Sequence, residues 1–340
     1  MNRVCKFIFF SYAYITMAFS LSASANNQPV EAEILPLASK SLMLDIFKIS
    51  QQKIIAVGDR GHILLSSDGE TWQQVMSPVN SALTKVTFIN EQLGWAVGHD
   101  ATILNTQDGG NTWTLQNYQP EKQRPFFDVH FFNENHGFAI GAYGLFYRTM
   151  DAGKTWEEEF HLELLNEDDR FYLEDVKLED EQLYLEEVAS ILPHFNRVTA
   201  NGDELFLAGE LGMISSSNDQ GITWQLLDEI YMGSFFDIEA LTDNKLLVVG
   251  LRGNMFISND NGQQWQKIPN NSTALLNDIV TTDTGKVFVL ANSGVILSST
   301  NGTDFSLSTQ ADGKALLAGV WFNNKLVVAS EVGVKVVDIQ

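Results

Sequence analysis

The sequence predicts an all-β chain folded as a seven-bladed β-propeller of four-stranded antiparallel blades, closed by an N-terminal strand, with one acidic insertion between blades three and four. Three observations predict it. An apolar phrase ending in a small residue recurs seven times, a turn phrase follows the first six copies, and alternating segments lie between them. Self-similarity at a fixed period of this size is the signature of a repeat architecture.

The apolar phrase appears as Ile55-Ala56-Val57-Gly58, Trp95-Ala96-Val97-Gly98, Phe138-Ala139-Ile140-Gly141, Phe206-Leu207-Ala208-Gly209, Leu247-Val248-Val249-Gly250, Phe288-Val289-Leu290-Ala291 and Val327-Val328-Ala329-Ser330. Successive final residues are separated by 40, 43, 68, 41, 41 and 39 positions, so one step is long and the others share a period.

The turn phrase, Ser/Thr-x-Asp-x-Gly-x-Thr-Trp, runs from Thr106 to Trp113, Thr149 to Trp156 and Ser217 to Trp224. Ser258 to Trp265 carries Gln264 in place of Thr, and Ser66 to Trp72 and Ser299 to Phe305 are one residue shorter. As a hairpin turn it has a clear physical logic: the Asp caps backbone donors, Gly supplies a positive φ, and the aromatic opens the next strand and packs inward. Asp68, Asp108, Asp151, Asp219 and Asp260 are therefore expected to be structural.

Alternating segments such as Asp45-Ile46-Phe47-Lys48-Ile49 and Phe127-Asp128-Val129-His130-Phe131 read as half-buried strands. Each period then holds four strands, and radial closure of such units leaves only short edges. The seventh repeat supplies three strands between Leu317 and Asp338, and Glu31 to Leu37 is expected to pair as its missing outer strand, where Pro36 is tolerable at an edge.

The long step is an insertion from about Glu157 to Pro193, with 14 carboxylates opposed by Arg170 and Lys177. Leu183, Glu186, Glu187, Val188 and Ile191 suit a two-faced helix closed by Pro193, and a solvated acidic loop is the alternative.

Ahead of the propeller, Arg3 and Lys6 precede an apolar stretch from Phe7 to Phe19, and Ala23-Ser24-Ala25 offers a small-residue cleavage site. Residues 1–25 are expected to be a signal peptide cleaved near Ala25, leaving one propeller domain over 26–340 in the periplasm or a lumen equivalent to that of the thylakoid. The only cysteine, Cys5, leaves with it, which excludes disulfides, thiolate nucleophiles and Cys-bound metal in the mature chain. The formal charge of −22 becomes −24 once Arg3 and Lys6 are gone, and such a surface repels phosphate backbones. Nucleic acid is excluded as a partner, no later apolar run spans a membrane, and a monomer is expected.

Function is expected on the face opposite the Asp turns, where the turns between second and third strands meet the starts of the first strands. The turns contribute Asp59, Arg60, His99, Asp100, Tyr143, Glu210, Arg252, Asn292 and Glu331; the strand starts contribute Asp45, Lys85, Asp128, Arg197, Asp237 and Asp278. These positions differ between blades, as an asymmetric binding surface on a repeated scaffold requires. Four aspartates at equivalent strand starts admit a cation or paired-carboxylate site, but hydrogen bonds to neighbouring backbone or ion pairs with Arg60, Arg197 or Arg252 explain them more simply. The six histidines show no two-His metal spacing, and neither a cofactor nor a metal is implied. The insertion should overhang this face, regulating access or contacting a basic partner segment.

The turn phrase is the Asp box of the BNR repeat. With a signal peptide, seven blades and repeats such as Gly94-Trp95-Ala96-Val97-Gly98 followed by an Asp box, the chain resembles the photosystem II stability and assembly factor family within the sialidase-like propellers. That resemblance implies a non-catalytic factor assisting a membrane protein complex, or its newly made subunit, from the periplasmic or lumenal side. Arg60 and Arg252 resemble the basic residues of such a binding face, from which Tyr143 and Glu210 depart. The rival class is a BNR-type glycoside hydrolase of sialidase or glucanase kind, but no arginine triad can be assigned among Arg60, Arg148, Arg170, Arg197 and Arg252. A carbohydrate-binding propeller using Tyr143, Phe126 and His99 is a third reading.

Overall fold

The recurring apolar phrase forms the second strand of every blade, and its residues are buried from end to end in all seven. A strand flanked by neighbours in its own sheet and by the next blades on both faces has no solvent side, so it reads as a continuous apolar run. The computed structural model describes residues 28–337 and 339, except residue 243. The signal peptide, its cleavage site, Cys5 and Asp338 lie outside the described residues.

Six antiparallel sheets have four strands and the last has three, each in simple sequence order from the inside outward. The innermost strands are Met43–Ser50, Leu83–Phe88, Phe126–Phe131, Phe195–Asn201, Phe235–Thr242, Leu276–Thr281 and Leu316–Phe322. Each packs beside the next, and the last packs beside the first, which closes the ring. Seven separate apolar clusters fill the blades and the gaps between them.

The glycine that ends the phrase has a steric cause. A Cβ at Gly98 would stand 2.1 Å from the carbonyl oxygen of Ala82, and one at Gly141 would stand 2.1 Å from that of Pro125. The chain entering each inner strand passes directly over this position.

The expected N-terminal closing strand does not form: no residue from 28 to 37 lies in a strand. The segment runs instead along the outer edge of blade one. The Ala32 N–H donates to the Ser77 carbonyl at 3.0 Å, the Leu35 N–H to Gln74 Oε1 at 2.8 Å, and Gln74 Nε2 to the Glu33 carbonyl at 2.9 Å. Pro36 has no N–H for a ladder and Ala38–Lys40 curl into a 3-10 turn, so the chain folds over the seam rather than extending along blade seven. Leu35 and Ala38 still seal that seam, packing with Ile46 and Ile54 of blade one and Phe322 and Val334 of blade seven. A Lys325–Glu70 ion pair spans the same junction.

The insertion is a helical hairpin. Glu157–Glu158 forms the short fourth strand of blade three, so the inserted chain begins after it. Helix α1 covers Glu167–Glu179 and helix α2 Glu181–Ile191, capped by the side chains of Asn166 and Asp180 respectively. The helix ending before Pro193 is as expected; α1 was not foreseen. Nor is the hairpin a detachable loop, because Leu164, Leu165, Leu173, Val188 and Leu192 join the core between blades three and four. Among the described residues no helix is long and apolar enough to cross a membrane.

Candidate functional site

Just inside the start of each inner strand the register slips by one residue, a β-bulge repeated in all seven blades. A bulge re-aims the side chain that follows it. The seven equivalent residues are Asp45, Lys85, Asp128, Arg197, Asp237, Asp278 and Ala318, opposite Val57, Val97, Ile140, Ala208, Val249, Leu290 and Ala329. All but Ala318 line the axial channel.

The four carboxylates among them each tie their blade to the next. Asp45 accepts the Val86 N–H at 2.9 Å, Asp128 the Val198 N–H at 2.9 Å, Asp237 the Ile279 N–H at 2.6 Å and Asp278 the Gly319 N–H at 2.9 Å. The bulge residues bridge two further junctions: Thr84 Oγ1 donates to the Phe126 carbonyl at 2.6 Å and Asn196 Nδ2 to the Phe235 carbonyl at 2.7 Å. The simpler expectation for the aspartates is met, with Arg197 as the pairing arginine.

Arg197 Nε donates to Asp237 Oδ1 at 2.9 Å, and its other nitrogens lie 3.8 Å from Asp128 and from Asp278. Lys85 Nζ stands 3.1 Å from Asp45. Burial opposes the charge on Arg197, but Asp237, Asp128 and Asp278 outweigh it and raise its pKa. Burial raises Asp237 and Asp278, against the pull of the two cations. Because Asp128 and Asp237 are buried and committed between blades, their expected place among partner-contacting residues is not supported.

One turn of the strand further along lies a second layer that the sequence reading did not single out. Phe47, Thr87, His130 and Glu239 sit two residues beyond the bulge positions and line, with Trp321, an axial cavity of about 420 Å³. Burial, reinforced by Asp237, pushes Glu239 up to about 7. Burial also lowers His130, against the pull of Asp128. The signal was available in the two-residue period of the strand Phe235–Thr242, which puts Glu239 on the same side as Asp237.

The turns between second and third strands stand apart from the channel, exposed at the face. Most put their tip residue in the left-handed region: Arg60 at φ 55°, Asp100 at 59°, Tyr143 at 52°, Leu211 at 57°, Arg252 at 56° and Ser293 at 59°. Asp, Asn and Gly tolerate this conformation, whereas large side chains there are strained. Arg60 and Leu211 are nevertheless each 70% exposed and Tyr143 46%.

Among the described residues Arg60 pairs with its neighbour Asp59, at 3.7 Å, and does not line the channel. Arg252 is exposed at its own tip, and His99 is exposed at the turn of blade two. Asp100 accepts a short hydrogen bond from Ser81 Oγ. The Tyr143 ring meets His194 edge-on at 4.5 Å, and Glu210 accepts the His194 N–H at 3.4 Å. Phe126 is fully buried against Tyr147, so it cannot stack on a sugar.

The Asp turns lie at the other end of the sheets. Asp108 Oδ1 accepts the Thr112 N–H at 2.9 Å and Oδ2 its hydroxyl at 2.7 Å, while Thr106 Oγ1 donates at 2.9 Å. Asp151 and Asp219 repeat this pattern, Asp260 keeps the backbone and Ser258 bonds but lacks the hydroxyl because Gln264 replaces Thr, Asp68 holds Glu70 and Thr71, and Asn301 takes the role in blade six. Each of these side chains is engaged in holding its own turn together.

Arginines for a sugar carboxylate are not assembled. Arg148 is buried, bonding Glu159 at 2.7 Å and the Gly221 carbonyl of the next blade at 2.7 Å; Arg170 lies on α1, Arg197 in the channel, and Arg60 and Arg252 on the tips of blades one and five. Among the described residues no group of three or more His, Cys, Asp or Glu could hold a metal ion.

Comparison with known proteins agrees with this fold. The family described as "Photosynthesis system II assembly factor YCF48" matches residues 65–124 and 115–196, from the third strand of blade one to the first strand of blade four. The chain is 40% identical over 58 residues to "Photosystem II stability/assembly factor HCF136, chloroplastic" of Guillardia theta and 37% identical over 46 residues to "Photosystem II assembly protein Ycf48" of Thermosynechococcus vestitus. These matches cover 16% and 14% of this chain and span only 15% and 13% of the relatives' own lengths. A solved structure titled "YCF48 bound to D1 peptide" superposes with a TM-score of 0.64 at 18% identity, over 89% of this chain and 94% of that one. The resemblance to photosystem II stability and assembly factors is thereby borne out, and the likeness of fold extends over the whole propeller.

Proposed function

We propose that this chain is an exported, non-catalytic assembly factor whose turn-bearing face holds a segment of a newly made membrane-protein subunit. One observation carries the reading: the left-handed turn tips of blades one, three, four and five carry Arg60, Tyr143, Leu211 and Arg252, large exposed side chains where Gly or Asn would be more stable. Strain kept at exposed positions points to a use outside the fold. The face is built for contact, since a rigid ring presents seven independent tips.

The similar solved structure, by its title, holds a D1 peptide, and the similar sequences are named as photosystem II assembly factors. A photosystem II subunit is accordingly the specific client this reading favours. On this chain Arg60 and Arg252 would meet anionic groups of the client and Tyr143 its apolar side chains, with His99, Asp100 and Glu210 on the same face. The channel residues serve the ring. No sialidase arginine triad is assembled among the described residues, and the Asp turns are engaged in holding hairpins, so neither supports hydrolysis.

Cross-linking in cells that express wild-type protein or the Arg60→Ala, Arg252→Ala double variant tests the proposal. Membrane-protein subunits joined to the wild type and lost from the double variant are expected. Equal recovery by both removes the arginines from the site, and turnover of any sialoside or glucan by the purified chain overturns the non-catalytic reading.

A further inference from the structure

The helical hairpin leaves an open groove of about 320 Å³ against blade four. Its walls are apolar, from Ile191 at the end of α2 to Leu211 on the turn tip and Leu226 in the fourth strand. Its rim is acidic, with Asp169 of α1, Glu210 of the turn and Glu229 of the loop that leaves blade four. The volume is at the lower end of ligand-binding clefts, about 300–1,000 Å³. Large apolar side chains continue outward from it: Leu211 is 70% exposed, Leu226 40% and the nearby Met232 80%.

We infer that this groove docks a cationic amphipathic peptide segment of a protein partner, placing an apolar side chain against Leu211 and Leu226 and Lys or Arg against the rim. Charge complementarity selects the occupant. The insertion carries 14 carboxylates against Arg170 and Lys177, so an anionic segment or an anionic lipid surface would be repelled. The apolar floor supplies what diffuse charge cannot, a fixed anchor point. Leu211 is the second, independent sign. At φ 57° it is strained, and its side chain stands in water. The groove shares Leu211 and Glu210 with the face of the assembly reading but contains neither Arg60 nor Arg252, so the inference goes beyond that reading and stands or falls without the arginines.

The test uses a fluorescent helical peptide of leucine and lysine, with its leucine–glutamate counterpart, titrated onto the purified protein. Binding of the lysine peptide alone is expected, weakened by added salt. Leu211→Asp discriminates because it adds a negative charge: attraction by charge alone would tighten, whereas groove docking would weaken by about tenfold. Leu226→Ser, at another exposed position, should weaken in the same direction should Leu211→Asp disturb the turn. The Arg60→Ala, Arg252→Ala variant should bind the peptide at least as tightly as wild type, since removing cations can only strengthen the attraction. Unchanged or tighter binding by both groove variants, or loss of the peptide in the arginine variant, overturns the assignment.

Discussion

Arg197 Nε stands 2.9 Å from Asp237 Oδ1, and the other oxygen of that carboxylate takes the Ile279 N–H at 2.6 Å. Blade four is thereby tied to blade five and blade five to blade six through a single side chain. Removing the cation leaves Asp128, Asp237 and Asp278 facing one another with only Lys85 to offset them. Breaking a buried ion cluster from one side costs about 3–5 kcal/mol. Arg197→Met should therefore lower the urea midpoint strongly, and Arg197→Lys should lower it less. Equal midpoints for wild type and Arg197→Met would show that the network does not hold the ring.

Glu239 faces the axial cavity, where burial and then Asp237 hold its pKa at about 7. In the unfolded chain a glutamate titrates near 4.3. Between these values the folded protein binds more protons, so this group's contribution to stability is complete below the unfolded pKa and is lost as pH rises through about 7. Glu239→Gln should match wild type in acid and exceed it at pH above 7 by on the order of 1–3 kcal/mol. Denaturation at both ends of the window checks it. A variant less stable than wild type in alkali would contradict the sign.

Asp108 works in the opposite direction. Despite the opposing effect of desolvation, hydrogen bonds from the Thr112 hydroxyl and N–H and from Thr106 hold its carboxyl below the usual range. Its stabilisation is present above the unfolded pKa and is lost as pH falls through the lowered folded value. Asp108→Ala should cost about 1–2 kcal/mol at neutral pH, in the range of a lost helix cap, and progressively less in acid. A difference independent of pH would mean that the turn is held by something other than the ionised carboxylate.

What could be read in the sequence and what could not divide along physical lines. The second strands and Asp turns were legible because burial on both faces and a demanding turn each force the same residue types into every repeat. Asp128 and Asp237 were placed on the binding face because a bulge is one extra residue, invisible in an alternating pattern, yet it turns the following side chain into the channel. Helix α1 went unseen because only Leu173 and Val176 on it are buried, too few to make an apolar stripe. The N-terminal segment carries a strand-like run, but Pro36 and the adjacent 3-10 turn decide its path through tertiary contacts that no local pattern encodes.

The hairpin insertion divides into a buried face and a free one, which makes its two faces separable by substitution. Leu173 is almost wholly buried in the core between blades three and four, whereas Leu178, one and a half turns later on α1, is 86% exposed. Leu173→Ala should cost roughly 2–5 kcal/mol, and Leu178→Ala should stay within about 0.5 kcal/mol of wild type. Thermal unfolding of the two variants measures this. Similar small losses for both would indicate that the hairpin folds independently of the propeller.

The turn tips set stability against binding. Arg60 at φ 55° and Arg252 at φ 56° occupy a region that costs a non-glycine residue about 1–2 kcal/mol, a cost that glycine escapes. Glycine also adds freedom to the unfolded chain, which offsets part of the gain. Neither guanidinium lines the channel, and the exposed Arg60–Asp59 pair at 3.7 Å contributes little, so the fold loses little with the side chains. Arg60→Gly with Arg252→Gly should therefore unfold at the same temperature as wild type or higher while failing to cross-link to membrane-protein subunits. Opposite movement of the two readouts is the mark of residues kept for contact; a double variant that unfolds earlier and loses its partners would make the arginines structural, and the binding defect a consequence of a weakened ring.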